Sequence, residues 1–174
     1  MADTWVISDT HFNHANILTF KDYAGKPPRE FDSVDHMNQC MLDNWNDVVK
    51  PNDTVIHCGD VLFGPDKVDW LTANFAKLPG KKRLVLGNHD NVKFLAPFFK
   101  DIQLWIQKDD FIFTHTPLHP STLAEAHRFG DGDILNVHGH IHSNPSPDGP
   151  YKCVCVEQIN FTPVNLDALR TPIV

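Results

Sequence analysis

Three histidines crowd into "NVHGHIH", at His138, His140 and His142, directly after the apolar pair Ile134 and Leu135. On a strand, a period of two would put all three on one face. A core would then have to satisfy six ring nitrogens, and like charges would repel. A metal ion is the chemistry that wants so many nitrogen donors in so small a volume. Other donors recur along the chain as Asp9-Thr10-His11, Gly59-Asp60, Gly87-Asn88-His89-Asp90 and His115-Thr116-Pro117. Asp9 and His11 alternate to one side, Asp60 has two oxygens that can bridge two cations, and Asn88 offers a neutral carbonyl. With His115, His140 and His142 these make seven donors, a natural set for two metals when one donor is shared. Mixed oxygen and imidazole donors without thiolate suit Mn²⁺, Fe, Zn²⁺, Co²⁺ or Ni²⁺ better than a structural zinc.

Apolar runs must carry these donors. "TWVIS" (4–8), "TVIHC" (54–58), "RLVLG" (83–87), "FIFTH" (111–115) and "ILNVH" (134–138) have the β-branched and aromatic content of strands, and each ends at one of the donor groups. In open α/β sheets, ligands bind outside the carboxyl ends of strands. "IQLWIQ" (102–107) is expected to pair with 111–115, and "YKCVCVE" (151–157) to form a further strand. Ser33 can cap a helix with Val34, Met37, Met41, Trp45 and Val48 on its apolar side, ended by Pro51. Asp66 can cap a second, with Val68, Leu71, Phe75 and Leu78 inward. Shorter helices are expected at 91–99 and 121–128. The alternation predicts an α/β domain with helix-covered sheets, and no repeat or linker divides residues 1–174.

The chain of 174 residues, 41% hydrophobic and 21% charged, is in the ordinary globular range. No apolar run approaches the roughly 20 residues that cross a bilayer. "MADTWVISDTH" has neither a basic n-region nor a long apolar h-region, so a cytoplasmic location is expected. The formal charge of −7 argues against general nucleic-acid binding, although bound divalent cations would neutralise part of it. Cys40, Cys58, Cys153 and Cys155 read as small buried hydrophobes rather than a disulfide framework.

The five donor blocks in order, "SDTH" (8–11), "GD" (59–60), "GNHD" (87–90), His115 and "GHIH" (139–142), resemble those of the calcineurin-like metallophosphoesterase superfamily. The segments "DTHFNHANI" and "FDSVDHMNQCMLDNWNDVVKPNDTVIHCGD" are similar to the small stand-alone members found in bacteria and phages. The resemblance implies a four-layer αββα sandwich, two mixed sheets flanked by helices, with a two-metal cleft. It assigns Asp9, His11, Asp60 and His142 to one metal, and Asp60, Asn88, His115 and His140 to the other, with manganese as the first choice. His140 and His142 would then serve different metals, leaving His138 as a strand residue with its own hydrogen bond.

The implied reaction is hydrolysis of a phosphoester by a hydroxide bound at the two-metal centre. His89, beside Asn88 but outside the ligand set, is the candidate acid for the leaving oxygen, with Asp90 as its partner. "GDVLFG" has Val61, Leu62 and Phe63 where protein phosphatases of the superfamily carry a further Asp and an Arg, which counts against that activity. A diesterase on small or nucleotide substrates is therefore expected. A monoesterase or nucleotide pyrophosphohydrolase is the runner-up, and a nuclease or a non-catalytic scaffold are the alternatives of other classes. Asn13, His14 and Arg29 are candidate substrate contacts, against a helix cap, a surface histidine and a solvated arginine. His119 could line the cleft, His57 should pack beneath it, and His36 and His127 read as helix surface. Lys81-Lys82-Arg83 is expected to form a solvated edge away from the chemistry.

Overall fold

The computed structural model describes residues 2–22, 25–64, 67–129 and 134–170, with only the backbone described at 125–129. One sheet contains β1 (Thr4–Ile7), β2 (Thr54–His57), β3 (Lys81–Val85), β4 (Asp101–Gln103) and β9 (Val164–Asn165), in the order β4-β3-β2-β1-β9. The other contains β5 (Trp105–Lys108), β6 (Phe111–Thr114), β7 (Leu135–His138) and β8 (Tyr151–Cys153), in that order. Neighbours are parallel except β1 with β9 and β5 with β6, so both sheets are mixed.

Four layers follow from which faces are apolar. Val6, Ile56, Val85, Ile106, Phe113 and Val137 fill the space between the sheets. The outer face of the first sheet is covered by α1 (Val34–Val48) and α2 (Lys67–Ala73), and α3 (Val92–Leu95) packs at the same layer through Leu95. On α1, Met37, Met41 and Trp45 repeat at i, i+4, i+8 and are fully buried, each contributing roughly 1.5–3 kcal/mol. Ser33 accepts the His36 N–H at 3.1 Å and caps that helix as expected. Leu123 of α4 (Pro120–Phe129) covers the second sheet with Ile112 and Leu118. The αββα sandwich is therefore present.

Several local expectations are corrected. Residues 102–107 do not form one strand, although Trp105, Ile106 and Gln107 pair with β6 as expected. The chain leaves the first sheet after Gln103, crosses at Leu104, and enters the second at Trp105. Val68 is exposed, although Leu71, Phe75 and Leu78 are buried as expected; Asp66 lies outside the described residues. Lys82 is no solvated edge: β3 lies inside its sheet, and the buried ammonium donates to the Leu78 carbonyl at 2.6 Å. The short β9 on β1 was not expected. Residues 151–157 give only a three-residue strand, because the chain turns into a 3₁₀ segment at Val156–Gln158.

The sheets meet at the carboxyl end of β1. Ser8 exchanges hydrogen bonds with Val154 and Val156 beyond β8, while Asp9 donates to the Gly59 carbonyl beyond β2 at 2.9 Å. The donor blocks of both sheets are thereby drawn together. Among the described residues, no helix is long and apolar enough to cross a membrane.

Candidate metal centre

Beyond Ile7 the chain is no longer a regular strand. Asp9, His11, Asp60, His140 and His142 all have φ between 44° and 72°, the left-handed region that non-glycine residues rarely occupy. Each such residue costs of order 1 kcal/mol or more, and such residues cluster where a site requires them. This reversal aims alternate side chains inward. It also explains how His140 and His142 part from His138, which remains in β7.

Two groups of donors converge, Asp9 with His11 and His142, and Asp9 with Asp60 and His115, the atoms of each lying within 4.8 Å of one another. Asp9 is fully buried and its oxygens are unequal. Oδ2 accepts the Ser8 hydroxyl at 2.6 Å, the His140 N–H at 2.8 Å and the Cys155 thiol at 3.3 Å. Oδ1 has no hydrogen-bond partner; it faces the Nε2 atoms of His11 at 3.7 Å and His142 at 3.9 Å. Such separations are too long for hydrogen bonds but suit two donors converging on one cation through bonds of about 2.1 Å. Buried oxygens without partners are rare and need a reason. Burial pushes the Asp9 carboxyl up, but the positive potential of the neighbouring His11, His115 and His142 rings overcomes it and holds the acid well below its ordinary range.

Asp60 Oδ2 lies 3.5 Å from His11 Nε2 and 3.5 Å from His115 Nε2, between the two groups. Its Oδ1 accepts the His89 N–H at 2.9 Å. At the second group Asn88 Oδ1 and His140 Nδ1 stand 2.8 and 3.2 Å from His115 Nε2. His115 Nδ1 contacts the Cys58 carbonyl at 2.8 Å, which fixes it as N–H and leaves Nε2 facing the other donors. Burial disfavours the charged ring, but Asp60 and Asp9 outweigh it and raise the His115 pKa to about 9. The donor set therefore fits divalent cations: the buried carboxylates of Asp9 and Asp60 and the buried rings of His11 and His115, with half-buried His142 and exposed His140 at the open side and one oxygen left over. Glycine is obligatory where it is tightest, since a Cβ at Gly87 would meet Asp60 Oδ1 at 2.2 Å and one at Gly139 would meet Asp9 Oδ2 at 2.3 Å.

The other sequence candidates divide. His89 is exposed at the rim, its ring edge-on to His11 at 5.7 Å and to Phe63 at 5.6 Å. Asp90 does not orient it. The Asp90 carboxylate instead accepts three backbone N–H groups, from Asp60, Val61 and Gly87, each at 2.9 Å, and so ties the second block to the third. His14 reaches the cleft, lying 5.6 Å from the His11 ring and 4.2 Å from Phe63. Burial, with His11 next, lowers its pKa to about 4. Asn13 is no helix cap; it pairs with Asn38 of α1 through both its side chain and its N–H. Arg29 is neither a phosphate contact nor a solvated residue. It is 1% exposed and donates to the carbonyls of Asp9 at 2.6 Å and Thr10 at 3.0 Å and to Glu157 at 2.7 Å.

His57 is buried beneath the site, its Nδ1 accepting the Gly59 N–H at 3.2 Å and its Nε2 facing the Thr10 hydroxyl at 3.0 Å. His138 contacts the Gly139 carbonyl and the Ser146 hydroxyl, both at 3.0 Å. His119 is exposed and contacts Ser121 at the start of α4, His36 is exposed on α1, and the side chain of His127 lies outside the described residues. All four cysteines are free, and burial keeps the Cys58 and Cys155 thiols protonated. Sequence reasoning missed Glu157, whose Oε1 stands 2.9 Å from His142 Nδ1. The available signal was its place in the alternation Cys153, Cys155, Glu157, where an acid follows two small apolar residues.

Residues 3–153 match the calcineurin-like phosphoesterase superfamily domain. An uncharacterized protein of Methanocaldococcus jannaschii is 36% identical, over 97% of this chain and 90% of its own length. The gene 66 protein of Mycobacterium phage L5 is 33% identical, over 82% of this chain and 79% of its own. The crystal structure of a protein of unknown function from Aquifex aeolicus superposes with a TM-score of 0.75 at 27% identity, covering 98% of each chain.

Proposed function

Because the chain belongs to the calcineurin-like phosphoesterase superfamily, we propose that it is a metal-dependent phosphodiesterase acting on small or nucleotide substrates at a two-cation centre. The observation that carries this reading is Asp60, with one carboxylate oxygen 3.5 Å from an imidazole of each donor group. Asp9, His11, Asp60 and His142 would hold one ion, and Asp60, Asn88, His115 and His140 the other, with Mn²⁺ preferred. Two such ions, when bound, supply Lewis-acid charge for the phosphoryl oxygens and lower the pKa of water to about 7.

The chain supplies the rest. Asp9 and Asp60 bring negative charge into a buried site where it acts at low dielectric. Glu157 holds His142 through Nδ1, and Arg29 fixes the backbone that presents Asp9. His89, exposed beside Asn88, donates a proton to the leaving oxygen, while Asp90 holds the backbone on which Asp60 and His89 sit. A diester carries one negative charge and a monoester two at neutral pH. Arg29 is committed to Glu157 and two carbonyls, so that guanidinium does not serve a monoester's second charge.

Hydrolysis of bis-p-nitrophenyl phosphate beside p-nitrophenyl phosphate, with Mn²⁺, Ni²⁺, Zn²⁺ and chelator arms, tests this. Faster diester turnover that chelation abolishes is expected. A clear monoester preference would overturn the diesterase reading, and activity surviving chelation would remove the metals from it.

A further inference from the structure

Leu104 and Trp105 are adjacent, 75% and 52% exposed, at the point where the chain crosses from one sheet to the other. Isolated exposed apolar residues are ordinary, but a paired Leu and Trp beside a polar site is not. They border a groove of about 640 Å³ whose walls include Leu86, Ile112 and Leu118. The same groove is lined by Asn88 and His115, two residues of the metal centre. Trp105 reaches this place through strand register: it pairs with Thr114, the residue before His115.

We propose that this groove receives the organic substituent of the substrate, and that it selects a flat aromatic group, an aryl ring or a nucleobase, over a small alkyl group. The inference rests on the phosphoesterase reading, because it takes Asn88 and His115 as the end that fixes the phosphoryl group. An indole offers a planar face for offset stacking, the aliphatic walls exclude water around it, and the Thr116 and Thr122 side chains at the lining can meet polar ring edges. Among the described residues that line the groove none is Lys, Arg, Asp or Glu. The groove therefore matches a neutral ring and not a run of phosphates. Its volume suits one or two rings and lies near the middle of the usual small-ligand range of roughly 300–1,000 Å³.

Equilibrium binding of dimethylphosphinate and methyl(phenyl)phosphinate to the Mn²⁺-loaded protein tests this, since each carries the single negative charge of a diester and has no P–O–C bond to hydrolyse. Methyl(phenyl)phosphinate is expected to bind roughly tenfold tighter, in line with burial of one ring. Trp105→Ala and, independently, Leu104→Ser should bring the two affinities together by weakening methyl(phenyl)phosphinate alone. Equal affinities in the wild-type protein would overturn the pocket while leaving the metal centre intact. Failure of both compounds to bind would instead overturn the phosphoesterase reading beneath it. A dimer that Trp105→Ala dissolves, without any phenyl preference, would assign the groove to a second copy of the chain.

Discussion

Glu157 Oε1 and His142 Nδ1 stand 2.9 Å apart, and this contact turns the opposite ring nitrogen of His142 toward Asp9. Burial alone would keep the Glu157 acid neutral, but His142 and Arg29 overcome it and hold the carboxyl below its ordinary range. His142 is correspondingly more basic than a free imidazole, as an imidazole bound to a carboxylate becomes.

Replacing Glu157 with Gln removes that charge while keeping the shape. Mn²⁺ affinity at the His142 end should fall about 10- to 100-fold, the usual cost of losing a carboxylate behind a ligating histidine. Titration calorimetry reads this without any substrate, and an unaltered dissociation constant would refute the orienting role.

Arg29→Met should be severe. It leaves buried Glu157 without its cation and strips donors from the Asp9 and Thr10 carbonyls. Losing one partner of a buried pair costs about 3–5 kcal/mol. Urea unfolding measures it; a change under about 0.5 kcal/mol, the value for a surface residue, would contradict the structure.

His89→Ala should lower turnover of the diester roughly 10²- to 10⁴-fold, the contribution of one positioned proton donor. Bound manganese, measured by elemental analysis, should stay near the wild-type level, because no donor atom of either group comes from the His89 side chain. Equal loss of metal and turnover would make His89 structural.

Asp60→Asn and His142→Ala should separate by stoichiometry. Asp60 stands between both groups, so in a two-cation centre its loss should weaken both ions, whereas His142 belongs to one group. Metal content should approach none in the first variant and one per chain in the second. Identical stoichiometries would argue against the shared carboxylate.

Acid should destabilise the fold partly through His57. Burial depresses its pKa to about 3, so the folded chain keeps the ring neutral while the unfolded chain protonates it below about 6.5. The unfolded state therefore binds more protons between these values, and stability falls as pH drops through that window. From pH 7 to pH 5 this one group should cost about 2 kcal/mol. His57→Asn, whose side-chain oxygen can take the place of Nδ1 opposite the Gly59 N–H, should show a shallower pH dependence of the urea midpoint.

Much of this architecture could be read from residue types. Helix α1 was legible because a cap at Ser33 and an apolar repeat through Met37, Met41 and Trp45 agree, and local and tertiary preferences coincide there. The donor blocks were legible because each closes an apolar run. What stayed hidden depends on space rather than sequence. Nothing local marks Leu104 as a crossing between sheets, since "IQLWIQ" has continuous strand character. Lys82 and Arg29 look like surface cations until the strand order and the Glu157 contact bury them. Adjacency suggests Asp90 as a partner for His89, yet its oxygens are taken by the backbone N–H groups of Asp60 and Val61 in another loop and of Gly87 in its own. The left-handed turns at Asp9, His11, Asp60, His140 and His142 were equally invisible, because these residue types also suit ordinary strands and turns.

The convergence at the end of β1 has a mechanical consequence. Asp9, Asp60 and Asn88 leave one sheet, and His115, His140 and His142 leave the other. Any cation gripped by members of both sets acts as a rivet through the sandwich, and the unfolded chain, with these residues scattered over more than a hundred positions, cannot grip it. Divalent ions should thus raise the melting temperature in proportion to the logarithm of their concentration, and chelation should loosen the two halves of the molecule against each other before either one melts.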